Sequence, residues 1–152
     1  MTVRELGHLV LYVRDVTRSA AFYRDVLGWQ QIMPEPGTEP TAVAAFSSGR
    51  THHELLLIEV GADATPIPAG RRVGLYHFGL KVGDSDDDLR AALAAVQAAG
   101  ATVVGASDHT VTHSLYILDP DGNEIELYID VAGVDWKSDP ALIGAPVRPL
   151  SL

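Results

Sequence analysis

Cysteine is absent from this 152-residue chain. That excludes disulfides, thiolate nucleophiles and cysteine-based zinc sites, and leaves His, Asp and Glu to hold any metal. Long apolar runs are missing too: none approaches the roughly 20 residues that span a bilayer. The start, Met1-Thr2-Val3-Arg4-Glu5, has no apolar signal-peptide core, so the expected compartment is the cytoplasm. Positive charge is scarce, with 11 Lys and Arg against 20 Asp and Glu and a formal charge of −9. No basic footprint marks a nucleic-acid binder. Acidic residues gather in Asp84-Ser85-Asp86-Asp87-Asp88, which reads as the solvated start of a helix. Apolar residues make up 47% of the chain, enough for a core, and the length suits one domain.

What is present is a repeat. His8-Leu9-Val10-Leu11-Tyr12-Val13-Arg14-Asp15 and His77-Phe78-Gly79-Leu80-Lys81-Val82-Gly83-Asp84 both spell His-x-x-Leu-x-Val-x-Asp. A helical stretch follows each, over 19–27 and over 89–99, and each stops at a glycine, Gly28 or Gly100. Glycine suits the left-handed position after a helix. Strand-like stretches come next: 29–33, 41–47 and 54–60 in the first half, 102–104, 114–118 and Glu124–Asp130 in the second. The expected fold is therefore α+β: two βαβββ modules, 5–61 and 74–130, forming a curved mixed sheet around a cleft. A linker over 62–73 joins them, a tail over 131–152 follows, and all belong to one domain, 1–152.

Alternation along the strands predicts which side chains face the cleft. Leu9, Leu11 and Val13 form one apolar face, leaving His8, Val10 and Tyr12 on the other. Phe78, Leu80 and Val82 pack, leaving His77, Gly79 and Lys81. Ile125, Leu127 and Ile129 pack, leaving Glu124, Glu126 and Tyr128. Two imidazoles and a carboxylate, His8, His77 and Glu126, thus share one concave surface. Such a facial triad leaves the opposite side of a divalent cation open to substrate and dioxygen or water. Asp119-Pro120-Asp121-Gly122 is a strong turn signal. Pairing strands around it sets Tyr116 opposite or nearly opposite Glu126. His113 shares the parity of Leu115, which marks it as structural.

The segment from Asp108-His109 through Leu115-Tyr116 to Asp119-Pro120-Asp121-Gly122-Asn123-Glu124-Ile125-Glu126-Leu127 resembles the C-terminal segment of extradiol catechol dioxygenases. These belong to the vicinal-oxygen-chelate superfamily, with the glyoxalase/bleomycin resistance/dihydroxybiphenyl dioxygenase fold. Arg50-Thr51-His52-His53-Glu54-Leu55 resembles the paired-histidine segment of that branch. The resemblance runs from His8 to Tyr128. It implies His8, His77 and Glu126 as ligands of Fe(II), with Mn, Ni or Zn as alternatives. It implies His53 as acid/base, Tyr116 as a substrate contact and His109 as a contact to substrate or oxygen. The reaction implied is ring cleavage of a catechol-like diol by dioxygen. The implied partners are an aromatic diol and a second copy of the chain, with no nucleic acid and no membrane. Strict alternation gives His52, not His53, the cleft parity. His53 reaches the cleft only through a bulge or from a position just ahead of the strand.

Two other functions fit the same resemblance. A glyoxalase-type lyase or isomerase needs a glutamate in the first half at the counterpart of Glu126. The repeat offset puts that counterpart at Leu56 or Leu57, which cannot bind metal. A bleomycin-type binding protein needs no catalytic metal and suits an acidic surface. It gives no reason for His8, His77 and Glu126 to share a face. The loop over 34–40 and the tail with Trp136 fit either a cap over the cleft or a partner, or an exposed loop and a strapped tail; the sequence leaves both open.

Overall fold

The structure is a computed structural model that describes residues 1–35, 37–39 and 41–152. It divides into two compact units, Met1–Pro66 and Ile67–Leu152. The first holds β1 (Leu9–Val13), α1 (Val16–Ala21), β2 (Gln31–Met33), β3 (Val43–Phe46) and β4 (Leu55–Glu59). The second holds β5 (His77–Gly83), α2 (Asp86–Ala98), β6 (Val103–Asp108), β7 (Thr112–Leu118), β8 (Glu124–Asp130) and β9 (Arg148–Pro149). Each unit is the expected βαβββ module with a sheet of its own. The strand orders are β1-β4-β3-β2 and β5-β8-β7-β6-β9, the same path with one strand added. In both, the first and last strands of the module run parallel and the rest pair antiparallel.

In unit 1 the apolar parity of β1 buries Leu11 and Val13 and leaves Val10 and Tyr12 exposed. Leu55 and Leu57 of β4 are fully buried beside them, and Tyr23 and Phe46 close the core with ring centroids 5.9 Å apart. Fully burying one such side chain stabilises the fold by roughly 1.5–3 kcal/mol. The helix starts earlier than the sequence pattern suggested, because the Asp15 side chain accepts from the Arg18 amide and caps it. It then widens into a π turn over Phe22–Val26, closed by Leu27 N–H donating to Phe22 O at 3.2 Å. Gly28 ends it at φ +68, the conformation for which glycine was read there.

Unit 2 repeats the scheme. Leu115 and Ile117 of β7, and Ile125, Leu127 and Ile129 of β8, are buried against Leu89 and Val96 of α2. The acidic run starts α2 through a capping box: Ser85 accepts from the Asp88 amide and Asp88 reaches back to Ser85. The helix therefore begins at Asp86 rather than 89, and Gly100 follows it at φ +67. β6 is longer than its expected span of 102–104. Antiparallel pairing with β7 carries it to Asp108, opposite His113. The tail contributes β9, which pairs with the outer edge of β6, and Trp136 stays 45% exposed. Of the loop over 34–40, Pro36 and Pro40 lie outside the described residues. Among the described residues no helix is long and apolar enough to cross a membrane.

Candidate metal centre

The turn between β7 and β8 sets the geometry of the site in unit 2. Asp119 is buried, and its carboxylate accepts from the Asp121 amide (2.9 Å), the Asn123 amide (2.8 Å) and Asn123 Nδ2 (2.8 Å). Gly122 takes φ +89 within it. This closure fixes an antiparallel register in which Tyr116 lies directly opposite Glu126. The parallel pairing of β5 with β8 sets His77 beside Glu124 and Gly79 beside Glu126. A side chain at Gly79 would crowd the Tyr128 ring, at 3.2 Å from a Cβ.

Four predicted site residues meet here. His77 Nε2 lies 3.3 Å from Glu126 Oε2, and Tyr116 donates to Glu126 Oε1 at 3.1 Å. His109 Nε2 is 2.7 Å from the Tyr116 hydroxyl. Since the phenol proton points to Glu126, His109 supplies its own N–H to the phenol oxygen. Burial, then the Glu126 charge, pushes Tyr116 well above the ordinary phenol range, so it stays a donor. His109 reaches this position from a tight turn in which Thr110 adopts φ +71, a left-handed backbone disfavoured for a β-branched residue. Its amide is held by Asp108 Oδ1 at 2.6 Å, and its buried hydroxyl has no hydrogen-bond partner among the described residues.

The histidines of unit 1 form a separate group. His8 lies just ahead of β1, and its ring is 4.5 Å from that of His53. His52 and His53 share a 2.6 Å contact between their Nδ1 atoms. β4 starts at Leu55 and pairs with β1 in unbroken register. His53 therefore meets His8 from a position ahead of the strand, and no bulge is involved. Desolvation, followed by the neighbouring His52 and His8, holds His53 below the ordinary imidazole range. Arg50 organises the approach: it donates to Leu6 O and Gly7 O at 3.2 Å each and to Glu54 Oε1 at 2.9 Å. Nothing in the sequence pattern marked Arg50 for this role, because its partners are carbonyls of a segment without periodicity.

His113 is held by Asp86 at the start of α2, Nδ1 to Oδ1 2.6 Å, which ties β7 to the helix as a structural residue would. Lys81 is paired with Asp84 (2.7 Å) and Asp130 (2.9 Å). Both carboxylates raise its pKa.

The two registers also settle which residue matches Glu126. Val10 pairs with Leu56 in unit 1, and its repeat equivalent Gly79 pairs with Glu126 in unit 2. The counterpart is Leu56. Glu54 is tied to Ser48 and Arg50, and Glu59 accepts from the Val16 amide at 3.0 Å.

Does this donor set fit a cation? Two donors bound at about 2.1 Å and at right angles stand ~3 Å apart. The 3.3 Å between His77 Nε2 and Glu126 Oε2 matches that spacing. His77 also has Glu124 Oε1 3.5 Å from its other nitrogen. A metal bound at Nε2 leaves Nδ1 as the nitrogen that carries the proton, on the side of Glu124. Unit 2 thus fits a divalent metal with two of its ligands. Among the described residues no group of three His, Asp or Glu stands ready to hold one.

Comparison with known proteins agrees with this architecture. Residues 5–127 match the family model of the Glyoxalase/Bleomycin resistance protein/Dioxygenase superfamily. The chain belongs to that superfamily. It is 34% identical over 134 residues to the catechol-2,3-dioxygenase of Bacillus subtilis (strain 168), covering 88% of this chain and 44% of that protein. The chain thus spans less than half of that relative. It is 30% identical to biphenyl-2,3-diol 1,2-dioxygenase 3 of Rhodococcus globerulus, over 100% of this chain and 82% of the relative. Among solved structures, the lactoylglutathione lyase of Agrobacterium tumefaciens matches with TM-score 0.61 and 28% identity, covering 84% and 95% of the two chains.

Proposed function

We propose that this protein is a metal-dependent extradiol-type dioxygenase that cleaves the ring of a catechol-like diol. His8, His77 and Glu126 are the ligands in this reading, with Fe(II) as the cation. When bound, the cation supplies Lewis acidity to the diol and an open face for dioxygen. His53, kept neutral in its histidine cluster, accepts a proton from the diol. His52 touches His53 and is the neighbour to which that proton passes. Tyr116 and His109 form a donor chain ending on Glu126 that orients that carboxylate; a substrate oxygen competing for the phenol proton would take it from Glu126.

The observation that carries this reading is the Glu126–Tyr116–His109 chain with His77 on the same carboxylate. The lyase alternative is weakened by Leu56, an apolar side chain where a further carboxylate ligand would stand. Anaerobic reconstitution with Fe(II), followed by oxygen uptake across a panel of catechols, tests the proposal. Uptake with ring-cleaved product is expected. Stoichiometric iron with no uptake on any catechol would remove it.

A further inference from the structure

His77 has a neighbour on the side away from Glu126 that the proposed reaction does not use. Glu124 is two residues before Glu126 on β8, so both carboxylates project from the same face of the strand. Its side chain is 17% exposed, close to the 18% of Glu126. Glu124 Oε1 lies 3.5 Å from His77 Nδ1. That nitrogen is buried and has no hydrogen-bond partner among the described residues. The approach is just beyond a hydrogen bond. On the same side the Tyr76 ring packs 4.6 Å from the His77 ring.

We propose that Glu124 is a positioning residue that takes the Nδ1 proton of His77 and so presents Nε2 to the metal. The inference rests on His77 being a ligand, not on which reaction follows. An imidazole that ligates through Nε2 must carry its proton on Nδ1, and a carboxylate there fixes the tautomer, fixes the ring plane and raises ligand basicity. A glutamate at the rim would do none of this. Glu54, its repeat equivalent in unit 1, is committed to Arg50 and Ser48, so the device belongs to unit 2.

Co(II) binding to the full chain tests it, with Glu124→Leu, Glu124→Gln and His77→Ala compared with the parent. Circular dichroism checks that each variant folds. Glu124→Leu is expected to weaken Co(II) binding about 10–100-fold. Glu124→Gln recovers most of that, since its amide oxygen still accepts from Nδ1. In the Co(II)-loaded parent, proton NMR should show a shifted, slowly exchanging imidazole N–H that Glu124→Leu loses to fast exchange. Glu124→Leu with parental affinity and the same N–H signal, while His77→Ala loses the metal, overturns the positioning role and leaves the ligand assignment standing. Equal Co(II) affinity of parent and His77→Ala overturns both.

Discussion

Thr110 is the residue whose backbone conflicts most openly with its side chain. A β-branched residue at φ +71 is strained by about 1–2 kcal/mol. Its hydroxyl is buried without a partner. The turn it forms is the one that carries His109 to Tyr116. Thr110→Gly is expected to raise the melting temperature by about 2–4 °C, from a net gain near 1 kcal/mol. It should also lower activity, because His109 is less firmly aimed. A melting temperature that falls would show the strain to be relieved in some other way. Of the residues in this region, Tyr116 was legible in strand pairing and His109 only through the family resemblance. The strain at Thr110 was not: φ at a turn depends on how two strands close on each other, not on the residue placed there.

Asp119 governs an element rather than a side chain. Its carboxylate accepts three hydrogen bonds that close the β7–β8 turn. Asp119→Ala is expected to cost about 2–3 kcal/mol, since hydrogen bonds to a charged group are worth about 1.5–3 each and are not additive. The melting temperature should drop by about 5–10 °C. The pairing of Tyr116 with Glu126 should loosen, and the Tyr116–Glu126 hydrogen bond with it. Calorimetry and the solvent-exchange rate of the Tyr116 hydroxyl proton by NMR check both parts. The turn and the pairing of Tyr116 with Glu126 were readable from Asp119-Pro120-Asp121-Gly122 and strand alternation, because a tight turn leaves little freedom in register. The extent of β6 was not readable. Its outer residues are carried by pairing with β7 and β9, a gain visible only once those strands lie beside it.

For the whole molecule, the metal proposal has a thermodynamic consequence. A ligand that binds only the folded state at about 100 times its Kd stabilises by about 2.7 kcal/mol. Fe(II), Mn(II) or Co(II) should therefore raise the melting temperature by about 5–11 °C. A chelator should reverse the shift, and His77→Ala and Glu126→Gln should abolish it. Thermal unfolding with and without metal checks this, and an unchanged curve for the parent would count against the site.

The sequence by itself determined the duplicated βαβββ plan and the buried and exposed faces of β1 and β8. It also set His77, Glu126 and Tyr116 on one face of their strands. Those follow from periodicities of two residues per strand and from turn and cap chemistry, which are local. Only the tertiary structure decided that His53 stands ahead of β4 and that Arg50 grips the carbonyls before His8. It alone placed Leu56 opposite Val10 and set Glu124 and Tyr76 against the far side of His77. Each of these depends on which distant backbone comes alongside, and no local pattern encodes that pairing.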